Sequence, residues 1–219
     1  MDWLLLQLAD SAFPTGGFAH SNGFEAALQH GEIQDVAGLE KYLGELLWQA
    51  GYGALPLASA AHRQPGKIGE LDGLCETFLA SHVANRASRV QGRAFLATCE
   101  RAFATTEILA LATQIRAAGL HEHFAPVFGA TIGALGVKLS SMQRLLLHLT
   151  LRGVLSAAIR LGVLGPYQAQ RVQAAFACKL DDVLAHCAGL ELSDLAQTAP
   201  LLDLVQANHD RLYSRLFQS

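Results

Sequence analysis

Three short clusters in this chain carry side chains capable of chemistry. Ala19-His20-Ser21-Asn22-Gly23 invites a hydrolase reading, because Ser21 precedes Asn22-Gly23 as a nucleophilic serine does in its elbow. Ala19, however, stands where the nucleophile-elbow motif requires glycine, and that elbow also needs a strand leading into it. No strand pattern precedes it, so hydrolase chemistry is not expected. His121-Glu122-His123 is the tightest group of potential metal ligands. A closed site takes three or four convergent donors, and histidines two residues apart diverge on a helix, so a polar loop is expected and no metal site is assigned. The sequence holds no GxxxxGK followed by Ser or Thr, no HExxH and no CxxC, which removes P-loop nucleotide binding and the common zinc patterns. Cys75, Cys99, Cys178 and Cys187 are expected as free thiols in the core. No catalytic residue is assigned.

The elements that would position such groups read as helices throughout. The 219 residues are 51% hydrophobic and 16% charged, with a mean hydropathy of +0.26, which excludes a disordered chain. Sixteen Lys and Arg against 19 Asp and Glu leave a net charge of −3, which argues against a nucleic-acid partner. Helical stripes recur: Asp35 to Ala50 with Asp35 as N-cap, His82 to Phe103 with a seam of small residues, and Glu107 to Ala118 stopped by Gly119. Ser140-Ser141-Met142-Gln143 has capping-box spacing ahead of a helix through Leu161. Pro166 opens a helix expected to run to His186, and a last one is expected from Leu201 to Phe217. About nine or ten helices in a single compact all-α domain over residues 1–219 are predicted. The apolar run Leu145 to Leu164 is interrupted by His148, Arg152 and Arg160, so it does not span a membrane. The N-terminus lacks the basic flank and cleavage site of a signal peptide, and a soluble cytoplasmic protein is expected.

The least ordinary stretch runs from Leu4 to Leu28. Leu4 to Ala9 predicts a short helix stopped at Asp10-Ser11. Pro14, Gly16 and Gly17 then shape a loop that ends in Ser21-Asn22-Gly23 ahead of Glu25. Gln7 to Glu25, Gln-Leu-Ala-Asp-Ser-Ala-Phe-Pro-Thr-Gly-Gly-Phe-Ala-His-Ser-Asn-Gly-Phe-Glu, closely resembles the N-terminal signature of the urease accessory protein F (UreF) family. The resemblance continues at Asn85-Arg86-Ala87-Ser88, Gly92 to Leu96, Pro126 to Gly129, Ala157 to Gly165 and the ending Leu212 to Ser219. Phe24 replaces the family's usual Leu.

That resemblance implies an all-α, dimer-forming adaptor rather than a catalyst. It would bind the accessory protein called D or H and recruit the accessory GTPase G. The assembly would deliver nickel to apo-urease, with nickel as cargo and no stably bound cofactor. Five residues are candidates for partner contact: Tyr213, Arg215 and Phe217 in a segment at about 212–219, together with Glu25 and Arg160. Glu25 reads equally as a first-turn carboxylate favouring a helix N-terminus. Arg160, which continues the stripe His148, Arg152, Ser156, reads first as a solvated helix edge and otherwise as part of a basic strip facing an acidic partner. Arg86, Arg89 and Arg93 share a face by their spacing and read as solvated or as a protein contact. The 212–219 segment has little chain beyond it to bury it at home, which favours an exposed anchor. His20 is either a hydrogen-bonded loop residue or a transient nickel contact. Two other classes remain open: a helical enzyme centred on His20, Glu25 and His121, and a bundle that binds a small ligand.

Overall fold

The computed structural model describes residues 3–219. Twelve α-helices and no strand occur among these residues: α1 Trp3–Ala9, α2 Phe24–Gln29, α3 Val36–Tyr52, α4 Ala54–Arg63, α5 Ile68–Phe78, α6 His82–Phe103, α7 Thr106–Ala117, α8 Phe124–Ala134, α9 Leu139–Arg160, α10 Pro166–Ala175, α11 Ala177–Cys187 and α12 Pro200–Ala207. They pack into one all-α domain. The count exceeds the expected nine or ten because local breaks divide long periodic stretches. Gly53 ends α3 and starts α4, and Phe176, buried, separates α10 from α11.

Helix α8 is the centre. Every residue from Ala125 to Ile132 is buried, so the helix is apolar all round, as a helix surrounded by others must be. It lies so close to α4 that a Cβ at Gly129 would stand 2.0 Å from the Ala58 carbonyl oxygen. Only glycine permits that approach. Phe128 also meets Phe95 of α6 at 5.2 Å and Phe124 at 5.3 Å between ring centroids, so the aromatic cluster ties α6 to α8.

Around this centre the caps follow the sequence. Asp35 accepts from Gly38 N at 2.8 Å, Ser81 caps α6 and Thr105 caps α7, while Gly119 takes φ +60° just past the end of α7. Long α9, about 33 Å by helical rise, runs from α8 and α4 to α1 and α2. Its start is a correction. Lys138 stands at the N-cap with no side-chain cap, and Gln143 is drawn into the interior, where Nε2 donates to Ser59 Oγ at 3.0 Å and to the Ala188 carbonyl at 2.8 Å. A tertiary bond has outcompeted the local one.

The end of the chain is a second correction. The helix expected from Leu201 to Phe217 stops at Ala207, passes through a 3-10 turn over Asn208–Arg211, and continues non-helically. Of the cysteines, Cys75, Cys99 and Cys187 are buried as expected, but Cys178 is exposed. Burial pushes the thiols of Cys75 and Cys99 up to about 12, which leaves them unreactive near neutrality. No helix among the described residues is long and apolar enough to cross a membrane.

Candidate functional site

The loop between α1 and α2 folds as its residue types require. Asp10 Oδ1 accepts from Ala12 N at 2.6 Å and turns the chain, and Phe13 is driven inward onto Phe95 and Phe103. A 3-10 turn follows at Gly17–Ala19, and then Gly23 at φ +82° starts α2. A side chain at Gly23 would be strained by that φ, and its Cβ would lie 2.9 Å from Gln206 Cβ on α12. The bend sets Glu25 in the first turn of α2, facing inward.

Glu25 is 1% exposed, and both of its carboxylate oxygens are spent on the end of the chain. Oε1 accepts from Leu216 N at 2.6 Å, and Oε2 accepts from Phe217 N at 3.1 Å and His209 Nε2 at 3.0 Å. Three charge-assisted bonds of this kind are what make a buried carboxylate tolerable. Ser21 extends the same seam: its N and its Oγ both donate to the Ser219 carbonyl, at 2.6 and 2.9 Å. The Ala19 carbonyl accepts from Gln218 N at 2.8 Å, and Gln29 Nε2 donates to the Ser214 carbonyl at 2.9 Å. Residues 214–219 thus hydrogen-bond to the signature loop and α2 as a short strap, which is why they cannot be helical.

Two further groups lock the strap. The Arg160 guanidinium sits between the Phe18 ring, 3.9 Å from its centroid, and the Phe217 ring, 4.3 Å away, and donates to the Phe18 carbonyl. Asp210 gathers Arg86 through two bonds of 3.0 and 2.8 Å, Arg215 at 3.0 Å and His82 at 3.3 Å. Hydrogen bonding from Arg86, and the charges of Arg86, His82 and Arg215, hold its carboxyl below the usual range.

His20 lies beneath this strap, its Nδ1 2.6 Å from Ser219 Oγ, and its Nε2 has no hydrogen-bond partner among the described residues. Burial, reinforced by the charges of Arg86 and His209, pushes its pKa down to about 4, so the imidazole is neutral at pH 7. No group of three or more His, Cys, Asp or Glu able to hold a metal occurs among the described residues. The Ser21 hydroxyl donates to Ser219 rather than to an imidazole, which is not the geometry of an activated nucleophile.

The candidates named from sequence therefore converge, but differently from the expectation. Glu25, Arg160, Phe217 and His20 meet in one place. Glu25 and Phe217 are buried, so neither is a surface contact in this conformation, while Tyr213, Ser214, Arg215, Leu216 and Gln218 of the segment are exposed. Arg215 pairs with Asp210, and Tyr213 is fully exposed. Phe18, Ser21, His209, Asp210 and Ser219 complete the site and were not singled out as partners of the segment. His121-Glu122-His123 lies elsewhere: His123, buried, bonds Glu76 at 2.7 Å and Ser88 at 3.1 Å, while Asp72 accepts from the backbone N of both His121 and His123. That motif anchors the start of α8.

The UreF family model matches residues 33–177 of the chain. The chain is 39% identical over 226 residues to urease accessory protein F of Arabidopsis thaliana, covering 100% of this chain and 93% of that protein. It is 35% identical over 221 residues to urease accessory protein F of Oryza sativa subsp. indica, covering 98% and 84%. Urease accessory protein UreF of Trichodesmium erythraeum is 28% identical over 220 residues, covering 97% and 94%. The family model includes Arg86 and Arg160 but leaves out the signature loop and residues 214–219, whereas the whole-length relatives span them. On these matches and an all-α fold, the chain belongs to the UreF family of urease accessory proteins, which are not enzymes.

Proposed function

We propose that this chain is a non-catalytic adaptor in urease maturation, which binds the D/H accessory protein and recruits the G-type GTPase so that nickel is inserted into apo-urease. It works as a cytoplasmic homodimer, holds no cofactor stably and needs neither nucleic acid nor membrane. Nickel is its cargo, and His20 meets that cargo transiently, when the strap lifts. The observation that carries this reading is the use of the signature residues: Ser21, Glu25 and the Ala19 carbonyl hold 214–219 in a defined shape. Tyr213, Leu216 and Phe18 stay exposed beside it. Aromatic side chains carried next to a fixed backbone make good interface anchors, because little backbone freedom is lost on binding. Tyr213 and Arg215 make the contact, and Glu25, Arg160 and Phe217 act from beneath by fixing their geometry.

The test is a pull-down with the D/H accessory protein, with light scattering for stoichiometry. The full chain is expected to bind, a chain cut before Leu212 to lose binding, and Tyr213→Ala to lose at least about tenfold with its melting temperature unchanged. A full chain that ignores that partner, yet binds a metal ion stoichiometrically alone, overturns the reading.

A further inference from the structure

A second feature lies on α6, beside the strap. Arg86, Arg89 and Arg93 line a concavity of about 650 Å³ together with Leu79, Val90 and Glu76. The three guanidiniums are not equally committed. Arg86 is bound by both oxygens of Asp210. Arg93 reaches Glu122 only through Nε, at 3.4 Å, and its side chain is 62% exposed. The Arg89 guanidinium makes no hydrogen bond among the described residues. Its nearest carboxylate oxygen, on Glu76, is 3.9 Å away, and the other oxygen of Glu76 is taken by His123 at 2.7 Å and Asn85 at 3.0 Å. Two guanidiniums one helical turn apart therefore face solvent with donors unspent, and like charges at that spacing repel each other.

We propose that this face of α6 is a docking site for an acidic segment of a partner protein, one that presents carboxylates to Arg89 and Arg93. The chemistry is already displayed next door, where Asp210 seats on Arg86 as a two-pronged carboxylate. The spacing also fits. Arg89 and Arg93 are about 6 Å apart along the helix, and alternate residues of an extended peptide are about 7 Å apart. Glu76 and Glu122 at the margins, with the net charge of −3, disfavour a dense polyanion such as nucleic acid, while separate carboxylates can avoid them. Exposed Val90 and half-buried Leu79 line the same concavity and offer apolar contact beside the two guanidiniums.

A fluorescein-labelled peptide with three glutamates at alternate positions, separated by serine, tests this by anisotropy with the full chain. The peptide is expected to bind, more weakly as salt rises. The corresponding glutamine peptide is expected not to bind, and R89E/R93E is expected to weaken binding at least about tenfold with an unchanged melting temperature. R89Q/R93Q makes the same test should the reversed charges disturb folding. Absent binding, equal binding of the glutamine peptide, or an affinity indifferent to these substitutions overturns the proposal. Displacement by inorganic pyrophosphate more efficient than by unlabelled peptide also overturns it, in favour of a phosphate site. The assay contains no accessory protein, so its failure is distinct from failure of the adaptor reading.

Discussion

At the scale of the residue, Glu25 has the most to lose. Its carboxylate is buried and satisfied by two backbone N–H groups and one imidazole, all from the far end of the chain. Glu25→Ala strands those donors, and leaving buried polar groups unpaired costs about 1–3 kcal/mol. The expected result is a lower melting temperature and loss of amide protection at Leu216 and Phe217, readable by hydrogen exchange. Arg160→Ala is expected to be milder, about 1 kcal/mol for the lost aromatic contacts, with Arg160→Lys between. His20 adds a pH dependence. With the strap docked its imidazole titrates near 4, against about 6.5 when freed. The freed form therefore takes up the proton first, so docking has its full strength above about pH 6.5 and weakens progressively down to about pH 4. Protection of the 216–219 amides should fall through that window. His20→Asn, which can still reach Ser219 but does not titrate, should flatten the curve.

Among the elements, the α4–α8 contact sets how tightly the core closes. Gly129→Val would drive a side chain into the Ala58 carbonyl, so the helices must separate, at a cost of about 3 kcal/mol or more. A melting temperature within a degree of the parent would show that the approach is not rigid. Helix identity was legible because it is local. The α6 limits at His82 and Phe103, the caps at Asp35 and past α7, and proline at the start of α10 all follow from spacing and side-chain type. The errors arose where a distant group competed for a local bond. Gln143 left its supposed capping box for Ser59 and Ala188, and Leu216 and Phe217 gave up helical bonds for Glu25.

For the whole molecule, the prediction is a separation of stability from recognition. Cutting before Leu212 removes Tyr213, but it also exposes the seat of Phe217 and leaves Glu25 without its backbone donors, so the shortened chain should melt earlier as well as lose its partner. Tyr213→Ala touches only an exposed ring and should lose the partner alone. If both variants lose stability equally, Tyr213 supports the fold and its proposed role as the anchor fails.

The amino-acid sequence by itself determined an all-helical chain, the absence of nucleotide and zinc motifs, and the signature that ties it to its family. These depend on side-chain type and on spacings of a few residues, which local physics reads directly. Only the tertiary structure decided what the signature is for. Glu25 finds its three partners 184, 191 and 192 residues away, and two of them are backbone N–H groups, which every residue but proline carries. No side-chain pattern at 216 or 217 announces such a bond. The convergence of Phe18, Arg160 and Phe217 is equally silent, because a guanidinium stacked between rings looks in sequence like any basic residue on a helix edge. Whether that edge meets solvent or the end of its own chain is settled by how the helices pack.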